Sequence, residues 1–220
     1  MKAVIINFKA YEEGSGERAI ALAEAVEEVS RKVDFYMAVC PPFVDLSDVM
    51  RGVDIDVFAQ HADAVGYGSH TGRITPEMLK EKGVKGSLIN HSERRLRLAD
   101  IDYLVSKFRE LELTSVVCTN NVATTRAAAA FTPDYVAIEP PELIGSGIPV
   151  SKAEPEVVEN SVKAAKEVSP DVKVLCGAGI ATYEDVVAAM DLGADGVLLA
   201  SGVVKAKDQK KALEELVGLR

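Results

Sequence analysis

Short apolar segments that alternate with helix-like stretches constrain the fold of this chain more than any other feature. Segments rich in Val, Ile and Leu recur at intervals of roughly 20 to 35 residues, and most are followed by an Ala/Glu/Lys-rich stretch with helical spacing. We predict strands at residues 3–7, 35–40, 56–60, 86–90, 114–119, 135–139, 172–177 and 196–200. We predict helices at residues 17–31, 44–50, 76–82, 101–111, 122–130, 154–168, 182–191 and 208–217.

The strand segments are nearly continuous in apolar residues, which is typical of parallel strands buried on both faces. No Pro/Ser-rich linker or block of charge divides the chain, so we expect residues 1–220 to form one domain. An open doubly wound sheet and a closed barrel both fit this order of elements. Eight strand–helix units in one domain favour closure, and we therefore predict an α/β protein with a single-domain (β/α)8 TIM barrel.

Composition excludes several classes of partner. The chain has 220 residues, 48% of them hydrophobic, which is enough for a stable core. Its formal net charge of −9 argues against nucleic acid and anionic membranes as partners. The three cysteines lie far apart without the spacing of a zinc site or a disulfide framework, so we expect a reducing, cytoplasmic location. The apolar run at residues 3–7 predicts a buried strand rather than a signal peptide.

Polar residues at the predicted strand ends are candidates for an active site, because barrels of this kind build their sites at the carboxyl ends of the strands. Asn7 and Lys9 follow the first strand, His91 and Glu93 the fourth, and Glu139 the sixth. Singly, each has an ordinary structural explanation, such as a solvated loop lysine or a capping histidine. Their occurrence at corresponding strand ends favours one mouth that carries an ammonium, an imidazole and carboxylates.

Small residues follow the last two predicted strands: Gly177 and Gly179 after the seventh, Ala200 and Ser201 after the eighth. Small side chains let backbone N–H groups approach a phosphate, and a neighbouring helix N-terminus adds favourable partial charge. Many barrels hold phosphate at this place. The pattern indicates a phosphorylated ligand, although a plain tight turn explains each pair equally well when it is taken alone.

Three segments in this order, NFK at residues 7–9, HSERR at 91–95 and EPPELIG at 139–145, resemble signatures of the triosephosphate isomerase family. Over essentially its whole length the chain is most similar to the short archaeal form. The resemblance implies interconversion of dihydroxyacetone phosphate and D-glyceraldehyde 3-phosphate through an enediolate, in glycolysis and gluconeogenesis, with no metal or organic cofactor. It implies that Glu139 is the catalytic base, His91 the electrophile, Lys9 and Asn7 substrate contacts, and Glu93 a supporting carboxylate.

The resemblance also implies a lid, a phosphate cradle and an assembly. The lid would contain Ile144, Gly145 and Ser146, and the cradle would consist of Gly177, Gly179, Ala200 and Ser201. A homo-oligomer is expected, either a dimer or a tetramer with the tetramer favoured, in which the loop at residues 66–72, the third loop, reaches a neighbouring subunit. The chain departs from the longer bacterial and eukaryotic forms at residues 119–120, where Thr-Asn replaces Gly-Glu, and this fits the short form.

Other functions remain alternatives. A sugar-phosphate epimerase would show metal-ligating histidines at its strand ends, and a Schiff-base aldolase would carry a lysine within a strand. Neither set is evident in the sequence. A barrel used only for binding or as a structural subunit would lack one of the catalytic side chains, and all of those expected are present.

Overall fold

The computed structural model describes residues 1–140 and 149–219. In this part of the chain eight parallel strands close into a barrel in sequence order, with β1 paired to both β2 and β8. The strands are β1 (Lys2–Asn7), β2 (Phe35–Cys40), β3 (Asp56–Ala59), β4 (Gly86–Ile89), β5 (Thr114–Thr119), β6 (Tyr135–Ile138), β7 (Lys173–Cys176) and β8 (Gly196–Leu199). The predicted (β/α)8 TIM barrel is confirmed, and no predicted strand boundary is wrong by more than one residue.

Helices cover the outside of the barrel. They are α1 (Glu17–Ser30), α2 (Leu46–Gly52), α3 (Pro76–Lys82), α4 (Leu98–Glu110), α5 (Val122–Ala129), α6 (Val150–Ala153), α7 (Pro155–Val168), α8 (Tyr183–Asp191), α9 (Ser201–Val204) and α10 (Gln209–Leu216). None of the helices in the described ranges is long and apolar enough to cross a membrane.

The helix predictions differ from the structure in three ways. Helix α2 begins and ends two residues later than the predicted range of 44–50. Helix α4 begins three residues before the predicted start. The prediction began at Ile101 because the buried face begins there, whereas Leu98 in the first turn is exposed. Helices α6 and α9 and a 3-10 turn at Glu12–Gly14 were not predicted, and each has four residues or fewer. Segments of that length do not show the 3.6-residue periodicity from which helices are predicted.

Alternation along the strands divides the core into two layers. Ile5 of β1 packs with Phe58 and Leu198 in the interior of the barrel. Its neighbours Val4 and Ile6 point the other way, into the larger layer between strands and helices. Because both layers are apolar, the strands show continuous apolar runs instead of a polar alternation.

Closure of the barrel depends on a glycine at the seam between β8 and β1. Gly196 pairs with Ala3 and has a φ of 154°. A Cβ atom at residue 196 would lie 2.1 Å from the carbonyl oxygen of Ala3, so any side chain would push the two strands apart. Closure brings the carboxyl ends of all eight strands to one mouth.

Candidate active site

One pocket lies at the mouth of the barrel and collects most of the predicted site residues. It is lined by Asn7, Lys9, Tyr11, His91, Glu139, Gly177, Ala178, Gly179, Ile180, Leu198, Leu199, Ala200 and Ser201. Glu93 lies in an adjoining pocket that shares Asn7, Lys9 and His91 with the first. The predicted lid residues Ile144, Gly145 and Ser146 fall outside the described residues.

The backbone at Lys9 is held in an unusual conformation by its neighbours. Lys9 has a φ of 51°, a region that non-glycine residues seldom adopt. Its N–H donates to Oδ1 of buried Asn7 at 2.9 Å. The amide of Gln60 donates to the carbonyl oxygens of Lys9 (2.9 Å) and Cys40 (3.0 Å), so it ties the ends of β1, β2 and β3 together. These bonds fix the direction in which the lysine side chain leaves the barrel.

The ammonium of Lys9 is positioned to exchange partners. Nζ lies 2.9 Å from Oε1 of Glu93, and the lysine side chain is 11% exposed while that of Glu93 is 59% exposed. Ion pairs with a largely solvated carboxylate contribute little to stability. An anionic ligand in the pocket can therefore replace Glu93 as the partner of Lys9 at small cost. Among the described lining residues, Lys9 is the only cation.

His91 presents one ring nitrogen to the pocket. Its Nδ1 accepts a hydrogen bond from the backbone N–H of Glu93 at 3.2 Å, and the Glu93 carboxylate lies farther away, with Oε2 at 3.5 Å. In a neutral imidazole this arrangement assigns the proton to Nε2, an assignment made from the hydrogen bonds. Nε2 lies 3.6 Å from Oε1 of Glu139. The pocket thus contains an N–H donor beside a carboxylate.

The carboxylate of Glu139 is buried and partly unsatisfied. Glu139 directly follows β6, its N–H donates to the carbonyl of Thr119 at 2.8 Å, and it is only 4% exposed. Within the parts of the chain that the structure describes, Oε2 has no hydrogen-bond partner. Burial and the nearby negative charge of Glu139 raise the pKa of the Cys118 thiol, which therefore stays protonated. A buried carboxylate oxygen without a partner is well placed to accept a proton from a ligand.

Gly177 makes room for this carboxylate. A Cβ atom at residue 177 would lie 2.5 Å from Cγ of Glu139, closer than real Cβ contacts come. Any side chain at residue 177 would displace the Glu139 side chain. The glycine that the sequence suggested as a phosphate contact is therefore also required for the position of Glu139.

The loops after β7 and β8 form the other wall of the pocket. Gly179 has a φ of 72°, and a Cβ atom on Gly202 would lie 2.8 Å from the carbonyl oxygen of Ile180. The two loops therefore pack backbone against backbone. Helix α9 begins at Ser201, and the first N–H groups of a helix have no partner within it. This wall offers backbone donors to the same pocket that Lys9 lines.

Three residues near the site were not singled out from the sequence. Gln60 and Asn90 are polar residues that directly follow β3 and β4, so the same strand-end rule would have found them. Tyr11 lines the pocket from the 3-10 turn after β1, and no motif in the sequence indicated it.

Two observations bear on the alternative chemistries. Among the described residues, no group of three or more His, Cys, Asp or Glu side chains could hold a metal ion. The lysines of the described strands, Lys2 and Lys173, stand at the amino ends of β1 and β7, opposite the pocket. Neither the metal site of an epimerase nor the buried lysine of an aldolase is found in this part of the chain.

Comparisons with known proteins extend over nearly the whole chain. The family model described as triosephosphate isomerase matches residues 2–217. The triosephosphate isomerase of Archaeoglobus fulgidus is 70% identical over 219 residues, covering 100% of this chain and 98% of that protein. The enzyme of the same name from Methanothermus fervidus is 58% identical, with 97% and 96% covered. That from Methanocaldococcus jannaschii is 56% identical, with 97% and 98% covered.

Proposed function

The chain belongs to the triosephosphate isomerase family and interconverts dihydroxyacetone phosphate and D-glyceraldehyde 3-phosphate, a step of glycolysis, and we propose that the barrel-mouth pocket carries out this reaction. The observation that carries the proposal is the pairing of a buried carboxylate with an imidazole. Oε1 of Glu139 lies 3.6 Å from Nε2 of His91, in the pocket that Lys9 also lines. A base, a hydrogen-bond donor and a cation are the groups that isomerisation through an enediolate requires.

Glu139 acts as the base. Its carboxylate takes a proton from the hydroxyl-bearing carbon of dihydroxyacetone phosphate, and the electron pair of that C–H bond forms the carbon–carbon double bond of the enediolate. The π electrons of the carbonyl group pass to its oxygen, which then receives the proton of the neighbouring hydroxyl group. When Glu139 returns the abstracted proton to the former carbonyl carbon, the other oxygen forms the C=O bond of the aldehyde. Burial of the side chain supports this role, as does Oε2, which has no hydrogen-bond partner among the described residues and is available to the substrate.

His91 and Lys9 stabilise the charge that develops on the substrate oxygens. The Nε2–H of His91 can donate to the carbonyl oxygen as it gains negative charge, and it stands next to the base. The ammonium of Lys9, which lines the same pocket, would serve both this oxygen and the phosphate once it leaves Glu93. Asn7 supports both tasks because it fixes the backbone of Lys9.

The phosphate lies against the wall formed by Gly177, Gly179, Ala200 and Ser201. All four line the pocket with Lys9, which supports this assignment. Backbone N–H groups at the start of α9 and in the loop after β7 would supply the donors. Ile144, Gly145 and Ser146 are proposed from the sequence resemblance alone as further contacts from a lid.

A coupled assay of triose phosphate interconversion, run with and without a chelator, tests the proposed function. We expect activity in both directions and the same rate after exhaustive treatment with EDTA, because Glu139, His91 and Lys9 supply the chemistry without a metal or organic cofactor. Absence of isomerisation would contradict the function. Loss of activity with EDTA that returns with added metal would contradict the mechanism and favour a metal-dependent enzyme.

The protein is also proposed to form a homo-oligomer, with a tetramer favoured over a dimer. Residues 67–73 are all exposed, and Tyr67 is 55% exposed. Val44, which lies a few residues after the end of β2, is 82% exposed. Hydrogen bonds tie the base of this loop: the Ile74 N–H and the Arg73 guanidinium donate to the Asp63 carboxylate, and although burial opposes ionisation they hold the pKa of Asp63 at about 2. An exposed loop that is tied at its base and carries an aromatic side chain is suited to dock on another subunit.

Light scattering in solution measures the size of this assembly. We expect a molar mass four times that of the 23.5 kDa chain. A stable monomer would contradict any oligomer, and a mass twice that of the chain would reject the tetramer in favour of the dimer. Tyr67→Asp should shift the distribution towards smaller species, whereas the matched change Tyr183→Asp, at a tyrosine that is 42% exposed at the start of α8, should not.

We place the protein in the cytoplasm as one domain of residues 1–220, with no cofactor and without nucleic acid or membrane partners. All three cysteines are free and buried, which supports a reducing compartment. The net charge of −9 supports the absence of polyanionic partners.

A further inference from the structure

Asn90, between β4 and His91, has a conformation that requires an explanation. Four non-glycine residues in the described ranges have positive φ: Lys9, Asn90, Glu112 and Thr132. Glu112 and Thr132 precede β5 and β6, at the amino end of the barrel, whereas Lys9 and Asn90 follow β1 and β4 at the mouth. Asn90 has a φ of 61°, which glycine adopts without strain and asparagine tolerates better than most residues.

Both polar atoms of the Asn90 side chain make hydrogen bonds. Its Oδ1 accepts from the backbone N–H of Leu96 at 2.8 Å, and its Nδ2 donates to the carbonyl of Cys118 at 2.9 Å. The carbonyl of Asn90 also accepts from the guanidinium of Arg95 at 2.9 Å. The bonds from Leu96 and Arg95 close the loop of residues 90–96 on itself, and that loop carries both His91 and Glu93. The bond from Asn90 to the Cys118 carbonyl fastens the closed loop to β5.

The bond to β5 connects the two reacting groups of the proposed mechanism. Cys118 is followed by Thr119, whose carbonyl accepts from the N–H of Glu139 at 2.8 Å. A short path of hydrogen bonds therefore runs from the loop of His91, through the end of β5, to the backbone of Glu139. Asn90 is the residue of this path that belongs to the His91 loop.

We propose that Asn90 is a positioning residue for proton transfer, because its side chain fixes the His91 loop on β5 and so sets the distance between His91 Nε2 and Glu139 Oε1. This inference rests on the proposed roles of His91 and Glu139. The Asn90 side chain does not line the mouth pocket, so it acts on the reaction through His91. Small displacements of a catalytic group cost large factors in rate, on the order of 100-fold for about 1 Å.

Replacing Asn90 with glycine distinguishes two explanations for this residue: that its side chain positions His91, or that asparagine is present only because it tolerates a left-handed backbone. Asn90→Gly keeps the φ and relieves any strain, but removes both side-chain hydrogen bonds. If asparagine were present only because it tolerates this backbone, the variant would be as active as the parent. If the side chain positions His91, we expect kcat to fall by about 10- to 100-fold. KM and the inhibition constant of inorganic phosphate should change by less than about twofold, since the phosphate wall is not touched.

Two further variants make the test specific. Asn90→Asp is nearly isosteric and keeps the acceptor for Leu96 N–H, but it cannot donate to the Cys118 carbonyl, so kcat should fall here as well. Glu112→Gly is the matched control, because Glu112 has a similar φ of 55°, an 88% exposed side chain and no place near the mouth. We expect it to leave kcat and KM unchanged. Thermal unfolding of all variants shows which of them fold.

The outcomes distinguish this inference from the proposed function. Full kcat in Asn90→Gly or in Asn90→Asp would overturn the positioning role, as would a loss that appears only in KM. If Glu139→Gln were as active as the parent protein, the proposed mechanism itself would fail. Loss of activity in Glu139→Gln together with full activity in Asn90→Gly would refute only the role of Asn90.

Discussion

Replacing Glu139 with glutamine is expected to lower kcat by about 1,000-fold or more, because the amide cannot accept the proton that the carboxylate is proposed to take from the substrate. Glutamine has the same shape, so it fits the space that Gly177 leaves beside residue 139. Stopped and continuous coupled assays in both directions measure kcat. Exchange of substrate hydrogen with deuterated water, followed by proton NMR, measures the proton abstraction itself and should fall in parallel.

The same substitution should not destabilise the barrel. It removes a buried carboxylate whose Oε2 lacks a hydrogen-bond partner among the described residues, and burying such a charge is costly. The midpoint of thermal unfolding should therefore stay level or rise. Glu112→Gln, which changes an exposed carboxylate at the other end of the barrel, should alter neither kcat nor unfolding. Near-normal turnover in Glu139→Gln would reject Glu139 as the base.

Replacing Lys9 with methionine should lower kcat/KM by more than about 1,000-fold, because the ammonium is proposed to serve two groups of the substrate. It is the only cation among the described residues that line the pocket. Losing the charge weakens the hold on the phosphate, which raises KM, and leaves the developing oxyanion less stabilised, which lowers kcat. Steady-state kinetics over a wide range of substrate concentrations separate the two effects.

The control for Lys9→Met is another lysine near the mouth. The ammonium of Lys205 lies 5.2 Å from the centre of the Tyr11 ring, and Tyr11 lines the pocket while Lys205 itself does not. Lys205→Met makes the same change in net charge and should reduce kcat/KM only slightly. A rise in KM with unchanged kcat in Lys9→Met would show that Lys9 binds the substrate but does not stabilise the transition state.

The sequence predicted the barrel because each strand–helix unit is encoded locally. In β1, for example, the run Val4-Ile5-Ile6 is apolar at every position, which is typical of a strand buried on both faces. The start of α4 could not be predicted as well. Its first turn contributes no buried residue before Ile101, and the pattern of burial is the signal from which helices are predicted.

The candidate site was predicted as a set of residue types but not as an arrangement. The strand-end rule gave Asn7, Lys9, His91 and Glu139, and the structure places all four in one pocket. The rule did not show the role of Asn90, whose bonds join residues that are 28 positions apart. It also did not show that residue 177 must lack a side chain, because the Glu139 side chain occupies the space where a Cβ atom on Gly177 would lie.

By itself, the sequence determined the number and order of the strands, the end of the barrel at which the proposed active site lies, and the family. These follow from local apolar patterns and from short motifs, which are present in the chain before it folds. Only the tertiary structure decided the 3.6 Å between His91 Nε2 and Glu139 Oε1, the nitrogen of His91 that faces the pocket, and the partner of Lys9. Such distances depend on barrel closure and strand register, which result from packing of the whole core and are not encoded by any one segment.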